Sequence, residues 1–329
     1  MLFSLLEAAD TLIAEGFQPE QDIWFAFGFD EEIGGQNGAV KIAEYFKQLN
    51  ITFDAVYDEG GVIIAPGQAG IAQPLGLVGV AEKGLCTLRI TVRGLGGHSS
   101  MPPAKGSLVY AAEIIQKLND KQMPRTLIPP VSSFLDQAGA TMGFPARMAI
   151  ANKWALESLL LSTLSNNPAT NALIRTTTAI TMARGSDAAN VMASTAEITV
   201  NFRILTGDNV DMVVKHVREI CEGYDVDIDV LESREPSRIS PDTSHAFQII
   251  KKLVPQLYPN AAAAPYISVV ATDAYKYETV SPNVYRFMPV YINEYEQRTI
   301  HNENEYISLD NYSKMIAYFK ELMSVYQNK

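Results

Sequence analysis

Cysteine is scarce. Cys86 and Cys221 are the only two in 329 residues, too few for a disulfide framework and not spaced as metal ligands. No apolar run reaches the roughly 18 residues that span a bilayer, so neither a transmembrane helix nor a membrane partner is expected. Positive charge is in deficit, with 26 Lys and Arg against 37 Asp and Glu and a formal net charge of −11. That balance disfavours nucleic acid and anionic surfaces as partners. Histidine is confined to His98, His216, His245 and His301, so any imidazole chemistry must draw on these four. No G-x-x-x-x-G-K-[ST] phosphate loop occurs, and "GLGG" (94–97) precedes no suitable helix, which argues against a nucleotide-binding α/β protein. The N-terminal "MLFSLLEAADTLIAEGF" has no basic start and carries Glu7 and Asp10. It reads as an amphipathic helix ended by Gly16 rather than a signal peptide, and the expected location of the chain as written is cytoplasmic.

What is present is a soluble globular composition, 47% hydrophobic and 19% charged, over a length that calls for two domains. Helix 2–15 carries Leu2, Leu5, Leu6, Ala9, Leu12 and Ile13 on one face. Residues 22–29 form a continuous apolar run, as in a strand covered on both sides of a parallel sheet. Helical spacing returns at 37–49, followed by a second strand in "FDAVYDEGG", so the order is strand, helix, strand and implies an α/β sheet. From residue 82 the pattern changes. Strand 86–94, helix 106–118, strands 177–185 and 196–204, helix 209–222 and strand 225–233 follow the β-α-β-β-α-β order of a ferredoxin-like sandwich. Helix 245–257, strand-like runs at 266–270 and 283–288 and a last helix at 308–327 return to the first domain. The expected fold class is therefore α/β: a domain with a mostly parallel sheet, residues 1–81 and 237–329, plus an inserted α+β ferredoxin-like domain, residues 82–236, interrupted by a helical segment at about 124–172.

The chemistry concentrates at strand ends. "WFAFGFDEEIGG" closes an apolar run with Asp30, Glu31, Glu32 and two glycines, and "AVYDEGG" repeats the layout with Asp58 and Glu59. In open α/β sheets ligands bind beyond the carboxyl ends of the strands. Neighbouring residues on an extended backbone point to opposite sides, so Glu31 and Glu32 would divide their roles. Clustered carboxylates repel unless a cation sits among them; the alternative is a set of solvated loop acids. His301, in "RTIHNENEY", is a candidate ligand, and a site that mixes imidazole with carboxylate favours zinc over calcium or magnesium; a lone histidine is otherwise merely structural or exposed. His98 lies in a glycine- and serine-rich turn after a strand. Arg203 sits in an apolar strand, where an internal ion pair is the expectation from composition.

Taken together, these segments resemble the zinc-dependent amidohydrolase family of carboxypeptidase S, aminoacylase and glutamate carboxypeptidase. The carrying residues are "DEEIGG" (30–35), "YDEGG" (57–61), "EKG" (82–84), "GGHSSMPP" (96–103), "NVMASTAEITVNFRI" (190–204), "ATDA" (271–274) and "RTIHNENE" (298–305). "TNALIRTTTAI" and the insertion at 124–172 resemble the carboxypeptidase S branch. The resemblance implies that Glu31 is the general base, that Glu32 and His301 ligate one zinc and Asp58 the other, and that His98 stabilises the oxyanion from a partner subunit. It further implies that Asn190 and Arg203 contact the substrate. The first domain would be catalytic, and the inserted domain would be its lid and dimerisation module, giving a homodimer. The substrate would be a small N-acyl amino acid or peptide, cut next to a free carboxylate.

Two motifs of that family have no counterpart here: an upstream His-X-Asp segment and a later aspartate that bridges the metals. The expectation is an N-terminally truncated catalytic domain holding at most one zinc, weakly, with impaired hydrolysis. The alternative is a metal-free binding or dimeric remnant. Where relatives place an arginine after "ATD", this chain has Tyr275, which leaves Lys276 and Arg286 as candidates to hold a substrate carboxylate.

Overall fold

The computed structural model describes residues 1–67 and 71–326. They form two compact units. One comprises Met1–Glu82, Pro129–Leu160 and Arg238–Lys329; the other comprises Lys83–Ile128 and Leu161–Ser237. The helical insertion, expected wholly within the small domain, is therefore shared, and Pro129–Leu160 belongs to the first unit.

The first unit opens with the helix Leu2–Ala14. It buries Ser4, Ala8 and Leu12, one residue per turn, and leaves Phe3, Leu6 and Ile13 exposed. Its buried face is thus narrower than the apolar stripe read from the sequence. Residues 22–29 correct a second expectation. They adopt no strand, and all are exposed, because among the described residues no neighbouring strand takes up their backbone groups. A continuous apolar run is stable as an interior strand only when pairing and cover are supplied on both sides. The helix Ala39–Gln48 follows as expected, with Ala39, Ala43 and Phe46 buried against Tyr277 and Val280. Strands β1 (Val56–Asp58), β2 (Ile63–Ile64) and β3 (Leu75–Glu82) come next.

The second unit contains β4 (Gly84–Arg93), β5 (Gly97–His98), β6 (Thr177–Arg184), β7 (Val191–Met192), β8 (Thr195–Ile204) and β9 (Val226–Arg234). Four of these make an antiparallel sheet in the order β6-β8-β4-β9, the ferredoxin-like arrangement. Strict alternation builds it: on β8, Ala196, Ile198, Val200, Phe202 and Ile204 point inward while the residues between them do not. The helices Ser107–Asp120 and Val210–Ile220 lay Ala111, Ile114, Leu118, Val213 and Val217 on that face to make one core. The second helix starts at Asn209, whose side chain accepts from the Met212 amide at 2.8 Å. Each fully buried Leu, Ile or Phe here contributes about 1.5–3 kcal/mol. Cys86 and Cys221 are buried free thiols in this core.

Returning to the first unit, β10 (Ala262–Ser268), β11 (Val284–Arg286) and β12 (Tyr291–Ile292) complete a six-stranded sheet. Its order is β1-β11-β3-β2-β12, with β10 also paired to β3. The pairs β1–β11, β10–β3 and β12–β2 are parallel, whereas β11–β3 and β2–β3 are antiparallel. The sheet is mixed, with its longest ladder, β10–β3, parallel. The helices His245–Leu257 and Leu309–Val325 close the unit; residue 327, assigned to the last helix from sequence, lies outside the described residues. No helix among the described residues is long and apolar enough to cross a membrane.

Candidate active site

Of the three acids that end the apolar run, Asp30 is structural. It is buried, its Oδ2 accepts from the Asn37 amide and its Oδ1 from the Gly38 amide, each at 2.8 Å. Its carbonyl accepts from the Ile33 and Gly35 amides. This folds Glu31–Ile33 into a 3₁₀ turn, so Glu31 and Glu32 do not stand on an extended backbone. They still diverge, because the turn and not a pleat separates them. Gly34 and Gly35 follow with φ of 98° and 63°, the left-handed region that only glycine enters without cost. That need accounts for the glycine pair.

Glu31 lines a cavity of about 400 Å³ in the first unit, together with Asp58, Glu59 and Asp273. Burial is the first cause that raises its carboxyl above the usual range; the charges of Glu32, Asp273 and Glu59 add to it and Lys276 opposes it. Asp58 ends β1, where its Oδ1 accepts from the Glu59 amide at 3.0 Å. Its Oδ2 is buried and has no hydrogen-bond partner among the described residues. Burial pushes the Asp58 carboxyl well up, and the neighbouring Glu59 side chain pushes it further.

Glu32 faces elsewhere. Its Oε1 lies 3.6 Å from His301 Nε2, and both side chains are exposed. His301 itself has a φ of 56°, an uncommon conformation for a residue with a Cβ. Glu32 and His301, which the resemblance assigns to one zinc, thus lie near each other although they come from opposite ends of the chain. Asp58 shares its cavity with Glu31 and not with this pair. Among the described residues, no three His, Cys, Asp or Glu side chains are grouped closely enough to hold a metal ion. A catalytic zinc takes three protein ligands, and the residues present offer two at Glu32 and His301. They do not complete a zinc site.

Two cations read as substrate anchors are already committed. The Lys276 ammonium is buried and paired with Asp273 three residues earlier. Arg286 is fully buried: its Nε donates to Glu82 Oε1 at 2.6 Å, its Nη1 donates to the Val284 carbonyl at 3.1 Å, and its Nη2 lies 3.7 Å from Glu278. Asp273 and Glu82 are the residues that sequence reasoning left without a role. The signal for the first was its place three residues before Lys276 in a turn; for the second, a carboxylate ending an apolar strand.

The second unit brings His98 and Asn190 together. The ribbon of β5 and β7 sets His98 opposite Val191, and the Ser99 amide donates to the Asn190 carbonyl at 3.1 Å. His98 Nδ1 accepts from the Ser100 amide at 3.2 Å, which leaves Nε2 to carry the proton and face outward as a donor. Arg203 overturns the ion-pair expectation. It is exposed on β8 opposite Leu85, and no ion pair is formed by it among the described residues. Its charge is felt at the buried Lys83, whose ammonium is brought down to about 7 by burial first and then by Arg203. Because Arg203 is exposed and makes no ion pair, Arg203→Ala will leave the unfolding midpoint of this unit within about 0.5 kcal/mol of the parent in urea titrations. A larger loss would mean that the side chain is structural.

Residues 80–228 match a family model described as the peptidase dimerisation domain, M20_dimer. Over 325 residues, 98% of this chain, the sequence is 34% identical to the N-fatty-acyl-amino acid synthase/hydrolase PM20D1.1 of Danio rerio. It is 31% identical, again over 98% of the chain, to a probable carboxypeptidase S-like 2 of Dictyostelium discoideum. The chain thus carries the dimerisation domain of the M20 peptidases. It spans 63% and 62% of the length of those two relatives. The fold of this chain is also that of the crystal structure of an M20 family metallo-carboxypeptidase, Sso-CP2 from Sulfolobus solfataricus. That likeness has a TM-score of 0.64 at 15% identity, over 99% of this chain and 75% of the other. The relatives of this chain are peptidases and amidohydrolases, which are enzymes.

Proposed function

We propose that this chain carries the catalytic scaffold of a hydrolase that cuts an amide next to a free carboxylate, with N-acyl amino acids or small peptides as substrates. The observation that carries the reading is the approach of His301 to Glu32 at 3.6 Å, beside a Glu31 whose carboxyl is raised. A carboxyl moved toward neutrality suits a general base, since proton transfer works best when its pKa lies near the operating pH. Glu31 is assigned to take a proton from the attacking water and return it to the leaving amine. In the small unit, His98 is assigned the oxyanion, which its Nε2–H would meet as a donor. Asn190 and Arg203 are assigned the substrate carboxylate, for which Arg203 has a free guanidinium. The names of the relatives, an N-fatty-acyl-amino acid hydrolase and a carboxypeptidase S-like protein, support the substrate class. The dimerisation-domain match supports a homodimer formed through the small unit.

Zinc is assigned to Glu32 and His301, at most one ion and weakly, since two ligands fall short of the three a catalytic zinc takes. Hydrolysis by this polypeptide is accordingly assigned as impaired. That shortage also favours a second reading, a metal-free dimeric remnant that binds substrate without cutting it. Release of free amino acid from N-acyl amino acids, followed with and without added zinc, separates the two. The first reading predicts slow release that Glu31→Gln reduces by about 10²–10⁴-fold. Release unchanged in Glu31→Gln would remove Glu31 as base. Substrate binding with no release in the parent would establish the second reading.

A further inference from the structure

We propose that Arg125 and Arg175 form a receptor for a phosphate dianion on the small unit, separate from the residues assigned to hydrolysis. The two side chains start from one short antiparallel contact. Arg125 bridges Arg175, and the Thr126 amide donates to the Ile174 carbonyl at 2.7 Å. That bond marks the non-hydrogen-bonded kind of pair, the closer of the two antiparallel types, with Cα atoms about 4.5 Å apart and both side chains on one face. Like charges placed directly opposite in this way destabilise. Carboxylates that could relieve them are plentiful, 37 Asp and Glu against 26 Lys and Arg. Yet neither arginine forms an ion pair among the described residues.

The donors are held in place and largely unused. Arg125 is exposed; its Nη1 donates to Ser165 Oγ at 3.3 Å, and that hydroxyl donates to the Leu161 carbonyl at 2.7 Å. Arg175 is half-buried on an extended backbone, φ −156° and ψ 161°, and its carbonyl accepts from Lys83 Nζ at 2.8 Å. Its guanidinium makes no hydrogen bond to a described residue, and its Nε is buried. A buried donor left unpaired is costly and rare. Neighbours on an extended backbone point to opposite sides; Thr176 turns the other way and donates its hydroxyl to Asp208, so that carboxylate is engaged away from Arg175. Burial first, and then the charge of Arg125, hold the Arg175 guanidinium below its usual range, although an arginine stays charged throughout. Arg203 acts instead on Lys83, which separates this pair from the position assigned to the substrate carboxylate.

Charge and donor geometry choose the occupant. Each guanidinium presents about five N–H donors in a planar fork. A carboxylate brings a single charge and fills one fork, which leaves the second cation unrelieved. A phosphate dianion carries charge for both, and its three acceptor oxygens can meet both forks at once.

The full chain, in chelator at pH ~8 where phosphate is a dianion, is titrated calorimetrically with inorganic phosphate. One ion per chain is expected, bound about tenfold or more weakly by Arg125→Gln, a substitution of an exposed side chain. Thermal unfolding in phosphate is then compared with unfolding in potassium chloride of equal ionic strength. Phosphate at tenfold its Kd should raise the unfolding temperature of the parent by about 3–6 °C. Arg125→Gln should unfold no lower than the parent in chloride, because a like-charge contact is gone, and should lose the phosphate increment. Arg203→Ala should keep that increment. Methyl phosphate distinguishes the sources: equal affinity assigns the receptor to a phosphate ester, and binding about tenfold weaker assigns it to the free ion. Either result upholds the receptor. No phosphate binding, an increment retained in Arg125→Gln or lost in Arg203→Ala, or an equal increment from acetate would each overturn the proposal.

Discussion

Arg286→Met will destabilise the first unit by about 3–5 kcal/mol, the usual consequence of removing one member of a buried ion pair. Arg286 and Glu82 are both fully buried, at 2.6 Å. The same Glu82 oxygen accepts from Thr272 Oγ1 at 2.9 Å, and Thr272 caps the 3₁₀ segment Asp273–Thr279. That segment carries Asp273 and Lys276, which bound the candidate site. Without the guanidinium, the buried Glu82 carboxylate loses its cationic partner and the segment loses its anchor. Glu82→Gln in the Arg286→Met background removes the carboxylate that has lost its cation and should recover part of the loss, with a coupling of about 0.5–3 kcal/mol. Urea unfolding followed by Trp24 emission in Trp154→Phe backgrounds measures both. A single variant within 1 kcal/mol of the parent would show that the pair is not what holds the segment.

Asp58→Asn acts in the opposite direction and will stabilise the protein at neutral pH. The Asp58 carboxyl is raised when folded. A raised carboxyl favours the folded state only when protonated, and that advantage is lost as pH rises through the folded value. Above it, the ionised parent bears the full penalty of a buried, partly unsatisfied charge, about 1–3 kcal/mol. Asparagine keeps the oxygen that accepts from the Glu59 amide and turns the other position into a donor toward the Glu59 carboxylate. The gain should be largest near pH ~7, shrink as pH falls toward ~4, and vanish below about pH 3, where the aspartate is protonated in both states. Thermal unfolding of the two proteins across that range checks it, at roughly 2–4 °C per kcal/mol. A gain that persists undiminished at low pH would show that charge is not its source.

These two residues mark where sequence reading stops. The small unit was legible almost residue by residue, because alternation on β4 and β8 and the 3.6-residue spacing of two helices are local signals that their own core confirms. The run 22–29 was not, since an apolar stretch states what it would bury and not whether a neighbour is there to bury it. The carboxylates were legible as a cluster, but their division of labour was not. Asp30 is spent on two amides of its own loop, and that turn sends Glu31 and Glu32 apart. Arg286 was read as available and is paired, and the ion pair that composition suggested for Arg203 is not formed among the described residues. An arginine's partner is set by tertiary contact: Glu82 is remote in sequence from Arg286, whereas Arg203 falls on the outward register of β8. The meeting of Glu32 with His301 came only from resemblance, and no local pattern could have supplied it.

Calorimetric titration of the metal-stripped full chain with zinc bears most directly on the candidate site. The account predicts weak binding of no more than one ion per chain, lost in both Glu32→Gln and His301→Ala and retained in Asp58→Asn. Binding of zinc unchanged by those first two substitutions, or two ions held tightly by the parent, would contradict it.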